Sequence, residues 1–271
     1  MDRLLAPLLS FVFFYVATFI LLAWARFPYA HWGNLISASV ATALTVIIWE
    51  RGRWPVGLFV GPRLALPEFL RGLWWGVLLI SGCAVLIVLS TGVRHLPGTG
   101  FPWLELLAIF LPAVFHEELL FRGYPFQKLL HWNRPFALFG MSLIFAGLHA
   151  GNSSVTTLGL VNIFLGGILL SLAYVRYGRL WFPVGLHLAW NLTTGPFLGH
   201  EVSGFELMNS ILIERGGGPD LLTGGEFGIE GSVWMTLTEL VAIALMIRIL
   251  PHDRSPNMIR PARVEHAGMK E

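Results

Sequence analysis

The chain has 271 residues, of which 55% are hydrophobic and only 13% charged, about half the charged fraction of an average soluble domain. With 20 Phe, 11 Trp and a mean hydropathy of +0.67, it has too little polar surface to cover a soluble fold of this size, which excludes a soluble enzyme or secreted module. The net charge of +2 with scattered basic residues excludes a nucleic-acid partner, and the single cysteine, Cys83, excludes a disulfide framework or a cysteine-rich zinc site.

Crossing a bilayer takes about 20 helical residues. In chain order, apolar stretches occupy 4–24, 34–49, 70–90, 101–130, 136–150, 156–175, 180–198 and 232–249. The pattern predicts an all-α polytopic membrane bundle of about eight transmembrane helices, with any polar site inside it. The second and fifth stretches are short, and the seventh carries polar residues and Pro183. Arg3 and the Ala23-Trp24-Ala25 triplet give the first stretch a signal-peptide look, but its apolar run exceeds the roughly 7–15 residues of such a segment. The chain divides into N-terminal transmembrane helices at 1–100, a helical core at 101–250 and a basic tail at 251–271. The tail, with Pro256 and Pro261, is expected to be disordered beside the anionic inner leaflet.

Eight spans place both termini on one side. Of the 18 Lys and Arg, fifteen then fall on the terminal side, against Arg26, Arg94 and Arg215 opposite. The positive-inside rule makes the terminal side cytoplasmic and the protein a multi-pass integral membrane protein, with a prokaryotic inner membrane the expected location. The longest outer connection, 199–231, carries Glu201, Glu206, Glu214, Asp220, Glu226 and Glu230 with two glycine clusters. It reads either as an ordered lid or as a plain solvated loop. No internal repeat is evident, which argues against a transporter built from paired halves.

A charge near the bilayer centre costs about 2.5–3.5 kcal/mol on insertion scales, so intramembrane ionisable residues are functional candidates. Three clusters stand out. Glu118 and Arg122, four apart on the fourth stretch, share a helical face and can form an ion pair with a structural role. Glu117 is turned about 100° from Glu118 and has no local partner. His187 and Asn191 are also four apart and can donate hydrogen bonds to a developing oxyanion, although an interhelical glue pair has the same spacing. His149 ends the fifth stretch. At 1.5 Å per residue, Glu117, His187 and His149 lie roughly 17, 12 and 22 Å from the nearest flanking cation.

These residues fall into three motifs: Glu117-Glu118-Leu-Leu-Phe-Arg122, Phe145-x-x-x-His149 and His187-x-x-x-Asn191. Their combination and order resemble the CPBP intramembrane proteases, which include the type II CAAX prenyl endopeptidases and the bacterial Abi or bacteriocin-immunity proteins. The resemblance covers about 101–198. The stretch 224–232, Gly-Gly-Glu-Phe-Gly-Ile-Glu-Gly-Ser, also looks like bacterial members. It implies an intramembrane endopeptidase in which Glu117 and His149 activate the hydrolytic water, His187 and Asn191 stabilise the oxyanion, and Glu118 and Arg122 hold the fourth helix in shape. The substrates implied are peptides or membrane-anchored proteins, including lipidated ones, met within the lipid bilayer. The non-proteolytic alternative is a membrane immunity, chaperone or sorting protein of the same fold. The family is often called metalloprotease, and Glu117, His149 and His187 would be its zinc donors here. Leu120 stands where an H-E-x-x-H motif would need its second histidine. A glutamate-driven mechanism without a required cofactor is the expectation.

Overall fold

The computed structural model describes residues 2–52 and 61–248; the basic tail predicted at 251–271 lies outside the described residues. The protein is an all-α membrane bundle. Helices α1 (Asp2–Trp24) and α2 (Ala30–Glu50) form a hairpin, and α3 (Pro62–Thr91) starts with a proline in its first turn and stops at Gly92, whose φ of 77° suits glycine. Strand β1 (Arg94–Pro97) follows. One turn, α4 (Trp103–Glu105), runs through a π-helical segment at Leu106–Phe110 into α5 (Leu111–Phe121). Then come α6 (Tyr124–Trp132) and α7 (Arg134–Leu148), the latter capped by Asn133, and α8 (Thr157–Tyr177), capped by Thr156. Helix α9 (Trp181–Leu192) continues into a π-helical turn at Thr193–Phe197. Strand β2 (Leu212–Arg215), the single turn α10 (Asp220–Thr223) and α11 (Val233–Arg248) complete the described chain.

Among the described residues, four helices, α1, α2, α3 and α8, are long and apolar enough to cross a membrane by length and composition. The fourth predicted stretch, 101–130, is not one rod. It breaks at Arg122–Gly123, because Gly123 leaves the helix against the Leu119 carbonyl and Pro125 begins α6. In the other direction, α2 extends beyond the short 34–49 run, since its first turn carries the polar His31 and Asn34 that depress hydropathy.

Contacts identify the two ends of the bundle. At one, Glu50 at the end of α2 meets Lys128 and the Tyr124 hydroxyl of α6. There too Arg179, between α8 and α9, forms a bidentate pair with Glu68 of α3, and Arg176 reaches the Ile247 carbonyl. At the other end β1 and β2 pair antiparallel, with His95 opposite Glu214, and Asn152 donates to the Ser203 carbonyl at 2.9 Å. The loop 199–231 is therefore a folded cover. Phe227 and Ile229 are fully buried in it, whereas a solvated loop would keep both in water.

Helix α9, which carries His187, is set by close approach to α3. A Cβ added at Gly72 would stand 2.2 Å from the Phe182 carbonyl oxygen, at Gly76 2.5 Å from that of Leu186, and at Gly185 2.2 Å from that of Phe69. Glycines on both helices let the backbones touch, the small-residue contact that substitutes for hydrophobic driving force between helices in lipid.

Candidate active site

The predicted Glu118–Arg122 pair is present. Arg122 Nη1 donates to Glu118 Oε1 at 3.0 Å, with side-chain exposures of 1% and 0%. Arg122 Nη2 donates to the Gly167 carbonyl of α8 at 2.9 Å, and the guanidinium carbon lies 4.9 Å from the centre of the Phe145 ring. A carboxylate, a carbonyl and an aromatic face thus share a cation that would otherwise be prohibitive at this depth.

Glu118 has a second partner that the spacing could not reveal. His187 Nδ1 lies 2.9 Å from the same Oε1, and because a carboxylate accepts, Nδ1 carries the hydrogen. This directs Nε2 toward Glu117, whose Oε2 is 3.7 Å away. That exceeds a hydrogen bond, and Glu117 Oε2 is buried with no hydrogen-bond partner among the described residues. His149 closes α7, and its Nδ1 stands 2.8 Å from the Phe145 carbonyl. A carbonyl only accepts, so Nδ1 again holds the hydrogen and Nε2 of the neutral ring is a free base.

Glu117, His149, His187 and Asn191 all line one cavity of about 520 Å³. The three segments that carry them therefore converge on one cavity. The cavity also takes in His116 of α5, which adjoins Glu117 in the sequence, and Asn152 after α7, together with groups that the sequence reading missed: His31 and Asn34 from α2, Ser203 and Glu230. Tyr15 of α1 meets His116 Nε2 at 3.0 Å. Glu230 is buried. Its Oε1 accepts from Trp190 Nε1 at 2.7 Å, and its Oε2 accepts from both the hydroxyl and the backbone N–H of Ser203. It thus ties α9, one residue before Asn191, to the cover over the cavity. Burial raises its carboxyl above the usual carboxylate range, against the lowering effect of the Ser203 and Trp190 donors and of His149. The only sequence signal for Glu230 was its place in the 224–232 stretch. Glu239 of α11 is fully buried, and neither of its carboxylate oxygens has a hydrogen-bond partner among the described residues.

The zinc donor set of Glu117, His149 and His187 does not gather as one. Among the described residues no three His, Cys, Asp or Glu side chains stand close enough to hold a metal ion. Glu117 Oε2, without a hydrogen-bond partner among the described residues, and the His149 ring line the same cavity.

Comparison with known proteins agrees with the motifs. Residues 99–193 match the family described as type II CAAX prenyl endopeptidase Rce1-like, a stretch that includes all four cavity residues named from the sequence. The chain is also 36% identical over 88 residues to an uncharacterized 24.3 kDa protein of Escherichia coli, a match covering 31% of this chain and 40% of that protein.

Proposed function

We propose, from the premise that residues 99–193 belong to the type II CAAX prenyl endopeptidase Rce1-like family, that the protein is an intramembrane endopeptidase using a glutamate-activated water. The substrate is a hydrophobic or membrane-associated polypeptide, with CAAX-type processing as the nearest chemical precedent. Glu117 Oε2 takes a proton from water with His149 Nε2 beside it, and the oxygen adds to the scissile carbonyl carbon. The negative charge that forms on the carbonyl oxygen is met by the Asn191 carboxamide N–H and by His187 Nε2. For His187 to donate there, Nε2 must carry a proton in addition to Nδ1, a cation that the two flanking carboxylates, Glu117 and Glu118, neutralise. Collapse of the tetrahedral species breaks the C–N bond, and the proton gained by Glu117 passes to the leaving amine.

The observation that carries this reading is the unpaired Glu117 oxygen facing the His187 ring in a cavity shared with His149 and Asn191. The test is cleavage of a membrane-peptide library in detergent by wild type and Glu117→Gln, with the cut bonds mapped and a strong chelator in parallel. Chelator-resistant cleavage by wild type and none by the variant is expected. Equal product from both would remove Glu117 from the reaction, and loss on chelation restored by added zinc would replace the mechanism with a metal one. No product from wild type on any substrate would favour the immunity or chaperone role.

A further inference from the structure

The cavity belongs to one end of the bundle. Its walls use the start of α2 at His31 and Asn34, the turn after α7 at Asn152 and Ser153, and the cover at Ser203 and Phe205. Ser153 is exposed and Phe205 is 43% exposed, so its rim reaches the surface at the end where β1 and β2 pair. In the opposite direction it is floored. Below Glu117 lies the buried Glu118–Arg122–Gly167 layer, then Tyr124 and Phe126, both fully buried. A polypeptide cannot reach Glu117 from that end without breaking a buried ion pair.

The basic residues mark which side each end faces. The floored end carries Arg51, Arg63, Lys128, Arg134, Arg176 and Arg248, at the ends of α2, α3, α6, α7, α8 and α11. The open end carries Arg26, Arg94 and Arg215 among the described residues, the last two paired across β1 and β2. Basic residues in short loops are retained on the cytoplasmic side.

We infer that the catalytic cavity opens to the non-cytoplasmic face, and that its substrate is a segment of a membrane-anchored polypeptide presented from that face. The substrate class rests on the peptidase reading given above; the facing of the cavity does not. A cytosolic C-terminal peptide would meet the closed floor, whereas a chain anchored in the outer leaflet meets the rim at Ser153 and Phe205.

Because Cys83 is the single cysteine and is buried, accessibility labelling is direct. In a Cys83→Ala background, Ser153→Cys, Phe205→Cys and, at the floored end, Trp132→Cys are made in the full chain and checked for folding by monodisperse elution in detergent. Each is then exposed to a charged, membrane-impermeant maleimide in spheroplasts and in inverted vesicles. The expected result is labelling of the first two on spheroplasts, with labelling of Trp132→Cys confined to inverted vesicles; the reverse pattern at either rim position overturns the inference. A second arm uses two membrane-anchored reporters that differ only in the side on which the cleavable segment lies. Wild-type cleavage of the outer reporter, absent with Glu117→Gln, supports the substrate class, and cleavage of the inner reporter overturns it. Outward labelling with neither reporter cut upholds the facing and strikes the peptidase reading instead.

Discussion

Replacing Glu118 removes a group shared by the fold and the site, and the structure allows the two effects to be separated. Glu118 Oε1 accepts from Arg122 at 3.0 Å and from His187 at 2.9 Å, and neither Glu118 nor Arg122 reaches solvent. Glu118→Ala leaves the guanidinium with the Gly167 carbonyl and the Phe145 ring alone. Breaking one side of such a pair costs about 3–5 kcal/mol, and at roughly 2–4 °C per kcal/mol for a chain of this size the melting midpoint should fall by roughly 6–20 °C. Glu118→Gln combined with Arg122→Met removes the stranded cation along with its partner, and replacing a whole buried pair is often neutral or stabilising. The double variant should therefore melt near wild type, read by tryptophan fluorescence in detergent. Turnover should not recover, because a carboxamide cannot neutralise a doubly protonated His187, and loss of a carboxylate that orients a functional histidine costs about 10–100-fold. A double variant with both wild-type stability and wild-type turnover would refute the claim that Glu118 sets His187, leaving it the structural role that the i, i+4 spacing alone suggested.

Three further outcomes are expected. Asn191→Ala should lower turnover by about 10²–10³-fold with little change in melting, the cost of one lost oxyanion donor; a merely structural pair would show the opposite split in kinetic and thermal assays. Gly76→Val should lower the melting midpoint and turnover together, because its side chain would collide with the Leu186 carbonyl 2.5 Å away and with the Ala189 Cβ on α9; unchanged values for both would show that α3 does not set the position of His187. Acid should loosen the cover. Burial and the neighbouring His200 lower the pKa of His95 below its usual 6.5, while Glu214 is held below 4.5 because the His200 hydrogen bond and charge outweigh its burial. For both groups the unfolded chain binds protons more readily, so the His95 contribution is full above pH 6.5 and is lost as pH falls below it, and that of Glu214 is lost at lower pH still. Hydrogen exchange in 94–97 and 212–215 should rise between about pH 7.5 and about pH 5.5 relative to α8, after correction for intrinsic rates; equal protection would refute the acid-labile clasp.

Much of the bundle was legible because lipid makes hydropathy a strong signal. Helices α1, α3 and α8 fall where the apolar runs lie. The break at Arg122–Gly123 was missed because hydropathy averages across a helix end, whereas Gly123 and Pro125 act through local geometry. The extra length of α2 was missed for the opposite reason. His31 and Asn34 are polar because they face the cavity, and a hydropathy window treats such residues as the end of a span. The eight-span count remains a proposal for the segments shorter than a full crossing.

The site was legible wherever its partners were four residues apart on one helix, and hidden wherever they came from different segments. Glu118–Arg122 and His187–Asn191 are periodic, and periodicity is what a sequence records. The contact of Glu118 with His187 bridges 69 positions, and that of Trp190 with Glu230 bridges 40. The proposed chemistry leans on those two contacts. The first fixes the Nδ1 hydrogen of His187 and aims Nε2 at Glu117; the second holds α9 to the cover beside Asn191. The first belongs to a polar chain that runs from the Gly167 carbonyl through Arg122 and Glu118 to His187, hydrogen-bonded up to a last step of 3.7 Å to Glu117. The 3.7 Å gap at its end is where the ordered network stops and a reacting group can enter. Because the chain runs through α8, α5 and α9, its geometry is set by helix separation more than by side-chain choice. On the proposed mechanism, glycines where α3 meets α9, and Gly167 where α8 meets α7, should therefore affect turnover without touching the cavity's reacting atoms.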